Sequence, residues 1–244
     1  MQDDAPSTGK LSPNLPKVSV YFVAGISTWK SGDMFGPAMK HIKERYRNNG
    51  WNCSHTEALY PYGTMDDIPR EQLKPTIRKQ MWHVFQDMYQ PAERSPRAAY
   101  LSRIIRKHYG SSGEGEILLI GHSGGGIAAY LAARMLRKQG YPVRHVVQVG
   151  SPGGYIHAEW RDDVYCLRES GDVVTWWRLP FIGSASRRDV VQIEGGHPLY
   201  FCDQTKDKDG CDNLTKVMDK IWGRLYENEE VAPVAAWEPD ISQG

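Results

Sequence analysis

The chain has 244 residues, 40% of them hydrophobic, which is enough for one sizeable core, and a single domain is the expectation. Thirty Lys and Arg stand against 29 Asp and Glu, and a net charge of +1 supplies no long-range field to hold nucleic acid or an anionic membrane. The longest apolar runs, such as VSVYFVAGI from Val18, fall short of the roughly 20 residues that cross a bilayer, so no transmembrane segment is expected.

Residues 1–15 read as a polar, Pro-rich disordered leader without the apolar core of a secretory signal. A cytoplasmic protein is the expectation, or a secreted one if a signal has been removed. KVSVYFVAG, rich in β-branched and aromatic residues and stopped by Gly25, reads as a buried strand. Pro37, the stripe Met39, Ile42 and Tyr46, and Gly50 mark a helix, and WNCSHTEALY marks a second strand. Ile77, Met81, Val84, Phe85 and Met88 mark a helix that Pro91 ends, and Ser95 with Pro96 opens another through Leu101, Ile104 and Ile105. EILLI is a strand, and Ile127 to Leu136 form a helix that Gly140 closes. RHVVQVG, DVYCLRE and DVVQIEG read as three further strands, NLTKVMDKIWGRLY as a last helix, and residues 227–244 as an acidic flexible tail. Strands joined through helices over 16–226 imply an α/β fold with a mainly parallel sheet covered on both faces.

Ser123 falls between a strand and a helix in the pattern Gly121, His122, Ser123, Gly124, Gly125. A serine there makes a tight, strained turn that projects its hydroxyl above the sheet, and glycines two before and two after relieve the crowding. GHSGGG lacks the lysine of a phosphate-binding loop, and no GxGxxG spacing is present. A serine hydroxyl is a weak nucleophile near neutral pH. It needs an imidazole to take its proton and a carboxylate to orient that imidazole. In the order serine, acid, histidine, Asp172 and His197 each follow a strand at the edge where Ser123 emerges. Glu169, Asp162 and Asp163 are the other acids within reach, and His157 the other base. An oxyanion hole requires two backbone N–H donors: Gly124, just after the nucleophile, and Ile26 in the loop after the first strand, with Ser27 as its alternative.

With GHSGG, VVQVGSPGG, SGDVV and GGHPLYF in that order, the sequence resembles the α/β-hydrolase superfamily over roughly Val18 to Tyr226, most closely its compact lipase and esterase members. The resemblance implies Ser123, Asp172 and His197 as nucleophile, acid and base. The oxyanion loop reads VAGIST rather than a histidine–glycine pair. The short spacing from Gly150 to Asp163 leaves little or no cap domain, and cover over the site is expected from the segment between Tyr60 and Tyr89 or from WWRLPFIGSASRR. Trp29, Trp176, Trp177 and Tyr200, with Tyr60, Tyr62, Tyr155, Phe181 and Phe201, are candidates for the substrate pocket, though the same residues also suit core and rim packing.

The expectation is a serine esterase without a cofactor or metal, acting on a small-molecule ester. A thioesterase or acyltransferase working on thioesters, and a non-catalytic binding protein on the same fold, are the alternatives. In DQTKDKDGCDN, setting Gly210 at the sixth position of a calcium loop puts Thr205 first and Lys216 last, so the ligands fail. Cys53 and Cys166 read as small hydrophobes, while Cys202 and Cys211 flank that loop and suit a disulfide in an exported protein.

Overall fold

A computed structural model describes residues 15–112, 115–176, 185 and 187–226. All but the last residue of the expected leader, the expected tail, Trp177 and Phe181 lie outside the described residues.

Strands β1 (Lys17–Val23), β2 (Asn52–Leu59), β3 (Glu116–His122), β4 (Val143–Val149), β5 (Val164–Arg168) and β6 (Arg187–Val190) form one sheet in the order β2-β1-β3-β4-β5-β6. Every neighbouring pair is parallel. The central strands are covered on both faces, which is why β1 and β3 are almost uninterrupted apolar runs rather than alternating ones. Helices α1 (Gly36–Asn48) and α5 (Asn213–Tyr226) close one face, where Ile42, Tyr46, Met218 and Trp222 pack on Val20, Phe22 and Ile120. The Tyr46 and Tyr226 hydroxyls bond to each other there, and burial holds both phenols above their ordinary range. Helices α3 (Pro96–Ser112) and α4 (Gly124–Lys138) close the other face, with Leu101, Ile105, Ala128 and Leu136 against Tyr21, Val23 and Leu119.

Two element boundaries differ from the sequence expectation. The sixth strand lies over Arg187–Val190 rather than 189–195, because β5 offers only five residues and its last bond to the neighbouring strand is Val191 N–H to Arg168 O at 2.9 Å. Past that point Gly195 and Gly196 take positive φ, which turns the chain toward His197. The helix expected from Ile77 starts earlier, as α2 (Arg70–Tyr89), and contains Pro75. That proline lies near the N-terminus, so it removes only a bond to an early carbonyl.

The chain runs from β1 outward to β2 and then crosses back over β1 to β3. The loops after β1 and β3 therefore open a crevice at the carboxyl ends of the strands. Helix α2 covers this crevice and is fastened by buried polar groups. Asp87 is almost fully buried and accepts bonds from Tyr62 Oη (3.0 Å), Ser95 Oγ (2.7 Å), Gln90 Nε2 (2.6 Å) and Arg97 Nε and Nη2 (3.0 and 2.9 Å). Ser95 in turn caps α3 by accepting the Ala98 amide at 3.1 Å. Asp87→Ala leaves Arg97 with a largely buried, uncompensated charge, and a loss of about 3 kcal/mol or more is expected in urea unfolding. An unchanged midpoint would show the network to be dispensable.

Candidate active site

Ser123 joins β3 to α4 with φ 54° and ψ −132°, in a region that a residue with a side chain rarely occupies and that costs on the order of 1–3 kcal/mol. Its backbone is held on both sides: Ser123 N–H donates to Val149 O at 2.9 Å, and Gly126 N–H donates to Ser123 O at 3.0 Å. The flanking glycines are required by space. A methyl on Gly121 would lie 2.4 Å from Gly126 Cα, and one on Gly125 would lie 2.1 Å from Val23 O. The loop after β1 also abuts the turn, since a methyl on Gly25 would lie 2.8 Å from Ser123 Cβ and 3.2 Å from Gly124 N.

Asp172 follows β5 and His197 opens a short 3-10 turn after β6. The structure brings them together: His197 Nδ1 lies 2.8 Å from Asp172 Oδ2. An ionised carboxylate can only accept, so Nδ1 carries the proton and the neutral ring keeps its lone pair on Nε2. The carboxylate also accepts Tyr200 Oη at 2.9 Å on the same oxygen and Val174 N–H at 3.0 Å on the other. Burial alone pushes the Asp172 carboxyl up. The bonds from His197, Tyr200 and Val174 outweigh it and hold the group below the usual carboxylate range.

His122 is buried beside this pair. Its Nε2 lies 3.0 Å from the His197 carbonyl, which can only accept, and the two rings lie 5.0 Å apart. Burial, and then the proximity of His197, lowers the His122 pKa from 6.5 to about 4, so the ring is a neutral donor. Among the described residues no hydrogen bond joins the Ser123 hydroxyl to His197; both side chains face one cavity.

The two expected oxyanion donors lie at the same place. Gly124 is the first residue of α4, Ile26 lines the cavity, and among the described residues neither amide has a protein acceptor. Ser27, the alternative, has its N–H committed to Gln80 Oε1 at 2.9 Å. Gln80 is buried on α2 and donates through Nε2 to Tyr62 O at 3.0 Å, while the Tyr62 hydroxyl reaches Gly124 O at 3.2 Å. Ser27 itself has φ 55°, so the loop carrying Ile26 is held in shape from α2. Nothing in the sequence distinguished Gln80, because a polar residue on a helix reads as solvated.

The cavity measures about 880 Å³ and is mainly apolar. Ser123, His122, His197 and Gly124 form its floor. Met81, Val84, Phe85 and Met88 of α2 form one wall, and Trp29, Met34, Val173, Leu199 and Phe201 are also at its surface. Of the pocket candidates, Trp29 and Phe201 are placed at the cavity. Tyr200 is not: it is fully buried, with its hydroxyl between Asp172 and the Glu169 amide (2.6 Å), because that bond pair holds it beneath the carboxylate. Trp176 ends the turn after Asp172, and Trp177 is outside the described residues. Tyr62 is buried under the loop and Tyr155 lies exposed beside His157. The alternative acids and base are occupied elsewhere or exposed: Asp163 pairs with Arg137 at 2.7 Å, Glu169 accepts the Gly171 amide at 2.7 Å, and His157 faces Glu159 at 3.7 Å. Asp162 is exposed. Cys202 and Cys211 are both free thiols, and the loop between them is closed instead by Asp207, which accepts the Asp209 and Cys211 amides and pairs with Lys216.

Residues 78–175 match a family model described as alpha/beta hydrolase, a span that contains Ser123 and Asp172 and stops short of His197. No curated protein sequence matches the chain significantly. Among solved structures, RedJ, a thioesterase from the prodiginine biosynthetic pathway in Streptomyces coelicolor, is 21% identical with a TM-score of 0.31, covering 65% of this chain and 49% of its own. A Trichoderma reesei cutinase in complex with a C11Y4 phosphonate inhibitor is 15% identical over 68% of this chain and 66% of its own, with a TM-score of 0.36. YbtT, a type II thioesterase from the yersiniabactin NRPS/PKS biosynthetic pathway, is 13% identical over 88% and 94%, with a TM-score of 0.43. The chain thus spans about half of the RedJ chain in the first of these matches.

Buried neutral His122 makes stability depend on pH. Between pH 6.5 and about 4 the unfolded chain binds a proton that the folded chain excludes, so stability falls as pH drops through that window. His122→Gln, which keeps a donor for the His197 carbonyl, is expected to reduce the slope by about 1.4 kcal/mol per pH unit, read from urea unfolding at a series of pH values. A slope identical to that of the unaltered chain would place the proton uptake elsewhere, with His145, also lowered to about 4 by burial, the first group to examine.

Proposed function

We propose that this chain, which has the α/β-hydrolase fold, is a serine hydrolase that cleaves carboxylic esters through an acyl-enzyme. The observation that carries the reading is a serine held at φ 54° on a strand-to-helix turn, sharing one cavity with an imidazole whose Nδ1 is committed to a buried carboxylate. In this reading His197 Nε2 takes the Ser123 proton as Oγ bonds to the ester carbonyl carbon. The negative charge on the carbonyl oxygen is met by the Gly124 and Ile26 amides, Gly124 at the N-terminus of α4. The intermediate collapses as His197 returns the proton to the departing alcohol, leaving Ser123 acylated. Water then enters, gives its proton to His197, attacks the acyl carbon, and releases the acid with Ser123 restored.

Asp172 fixes the imidazole tautomer and favours the imidazolium that forms in each step, without itself taking the proton. The Ser123–His197 bond is expected to tighten only when substrate displaces solvent from the cavity, as is common for such pairs. The apolar wall from α2 suits the acyl part of the substrate.

A fluorophosphonate probe is expected to modify Ser123, identified by peptide mass spectrometry, and Ser123→Ala is expected to lose the label and about 10⁴-fold or more in turnover of a chromogenic ester. A folded protein that stays unlabelled, with hydrolysis intact in Ser123→Ala, would defeat the reading. Gln80→Leu should lower kcat by about 10- to 100-fold with little change in KM, because it frees the loop that carries the Ile26 amide. A change confined to KM would instead assign Gln80 to substrate binding.

A further inference from the structure

Away from the cavity, the edge strand β2 places His55 and Glu57 two positions apart and hence on one face of the sheet. Tyr21 of β1 pairs in register with Glu57. Helix α3 lies over the same face: Leu101 and Ile105 are buried against the sheet, and His108 follows at helical spacing. His55 Nε2 is 3.3 Å from Glu57 Oε2, and His108 Nδ1 is 2.6 Å from the same oxygen. All three ligand atoms lie within 4.8 Å of one another, and each side chain is about one third exposed, so the cluster is reachable from solvent.

We propose that His55, Glu57 and His108 form a site for a zinc-class divalent transition metal, with water in the fourth position. Two imidazoles and one carboxylate make a donor set suited to zinc and its neighbours. Calcium and magnesium call for all-oxygen surroundings. Metal–ligand bonds of about 2.0–2.1 Å in a tetrahedron separate the ligand atoms by about 3.4 Å. His55 and Glu57 already stand at that spacing, at 3.3 Å. The His108–Glu57 distance of 2.6 Å is shorter than that spacing, and a metal between the two atoms opens it by less than about 1 Å.

Tyr21 supplies an independent indication. Its side chain is fully buried, its ring lies 5.3 Å from that of His55, and among the described residues its hydroxyl has no hydrogen-bond partner. A buried hydroxyl without a partner is costly, and an acceptor oxygen at the metal, from Glu57 or the bound water, would satisfy it. Such a site would tie α3 to the sheet's edge strand, and none of the three ligands lines the cavity around Ser123.

The full chain, stripped with a chelator and titrated with zinc in a calorimeter, is expected to bind one equivalent and to show a saturable rise in Tm. His55→Ala and His108→Ala should each abolish that equivalent and the Tm rise while leaving ester turnover unchanged. Tyr21→Phe should weaken binding by about tenfold. Cobalt in the unaltered chain should give the visible bands of a four-coordinate nitrogen and oxygen site without a thiolate charge-transfer band, a readout that does not depend on the variants folding. Lack of a stoichiometric zinc equivalent, binding undiminished in both histidine variants, or a thiolate band pointing to the cysteines would each overturn the proposal.

Discussion

The turn at Ser123 depends on backbones approaching more closely than side chains allow. Gly121 meets Gly126 across the turn, Gly125 meets the end of β1 at Val23 and Ala24, and Gly25 meets Ser123 itself. Each of these positions lacks a Cβ because the space is already filled by the neighbouring main chain. The resulting contact fixes three things together: the serine's unfavourable φ, the start of α4 that exposes the Gly124 amide, and the position of the loop carrying Ile26. A serine in an ordinary conformation at the end of β3 would have no reason to face this loop. The strain is sustained because β3, β4 and α4 are among the most deeply buried elements of the sheet and its cover.

Helix α2 reverses the usual division of labour between the faces of a helix. Its buried side chains are polar, Gln80 and Asp87, and its apolar Met81 and Phe85 are more than 40% exposed. The polar pair are satisfied by bonds to the loop after β1, to Tyr62 and to the first turns of α3, so their burial is compensated. Met81 and Phe85 line the cavity instead of a core, while Val84 and Met88 line it and also pack against the core. A helix fastened by directional bonds and presenting grease to an opening is well placed to define a binding wall, because its position does not depend on what fills the cavity.

This reversal also explains where the sequence was informative and where it was not. The order of strands and helices, the parallel sheet and the position of Ser123 are legible because β1, β3 and α4 announce themselves by long apolar runs ending at glycines, and a sheet buried on both faces has few other sequence signatures. The pairing of Asp172 with His197 is legible by chain order and by their positions after strands. The apolar stripe of α2 predicts a helix but not which way it faces, since a wall and a core contact produce the same periodicity. Tyr200 shows the same limit. Aromatic residues near an active-site edge read as pocket lining, and only the bonds to Asp172 and the Glu169 amide reveal that this one lies beneath the carboxylate. The end of β6 is set by the length of β5, a pairing constraint absent from the local sequence.

The electrostatic arrangement around His197 follows from the same layering. Asp172 receives three hydrogen bonds, from His197, Tyr200 and Val174, and so stays ionised although burial opposes its charge. His122 on the other side of the imidazole is kept neutral by burial, and it is fixed as a donor by the His197 carbonyl. A charged His122 would oppose protonation of His197, whereas a neutral one anchors that backbone without adding a like charge. The imidazole thus has negative charge held against Nδ1 and no competing cation at its flank, with Nε2 left to the cavity. Each of these conditions is imposed by a side chain that is itself buried: Tyr200 against Asp172 and His122 against His197. The second position of the GxSxG pattern therefore keeps a like charge away from His197, and substituting a permanently charged residue there would act on that imidazole and on the packing of Tyr200 and Phe201 at once.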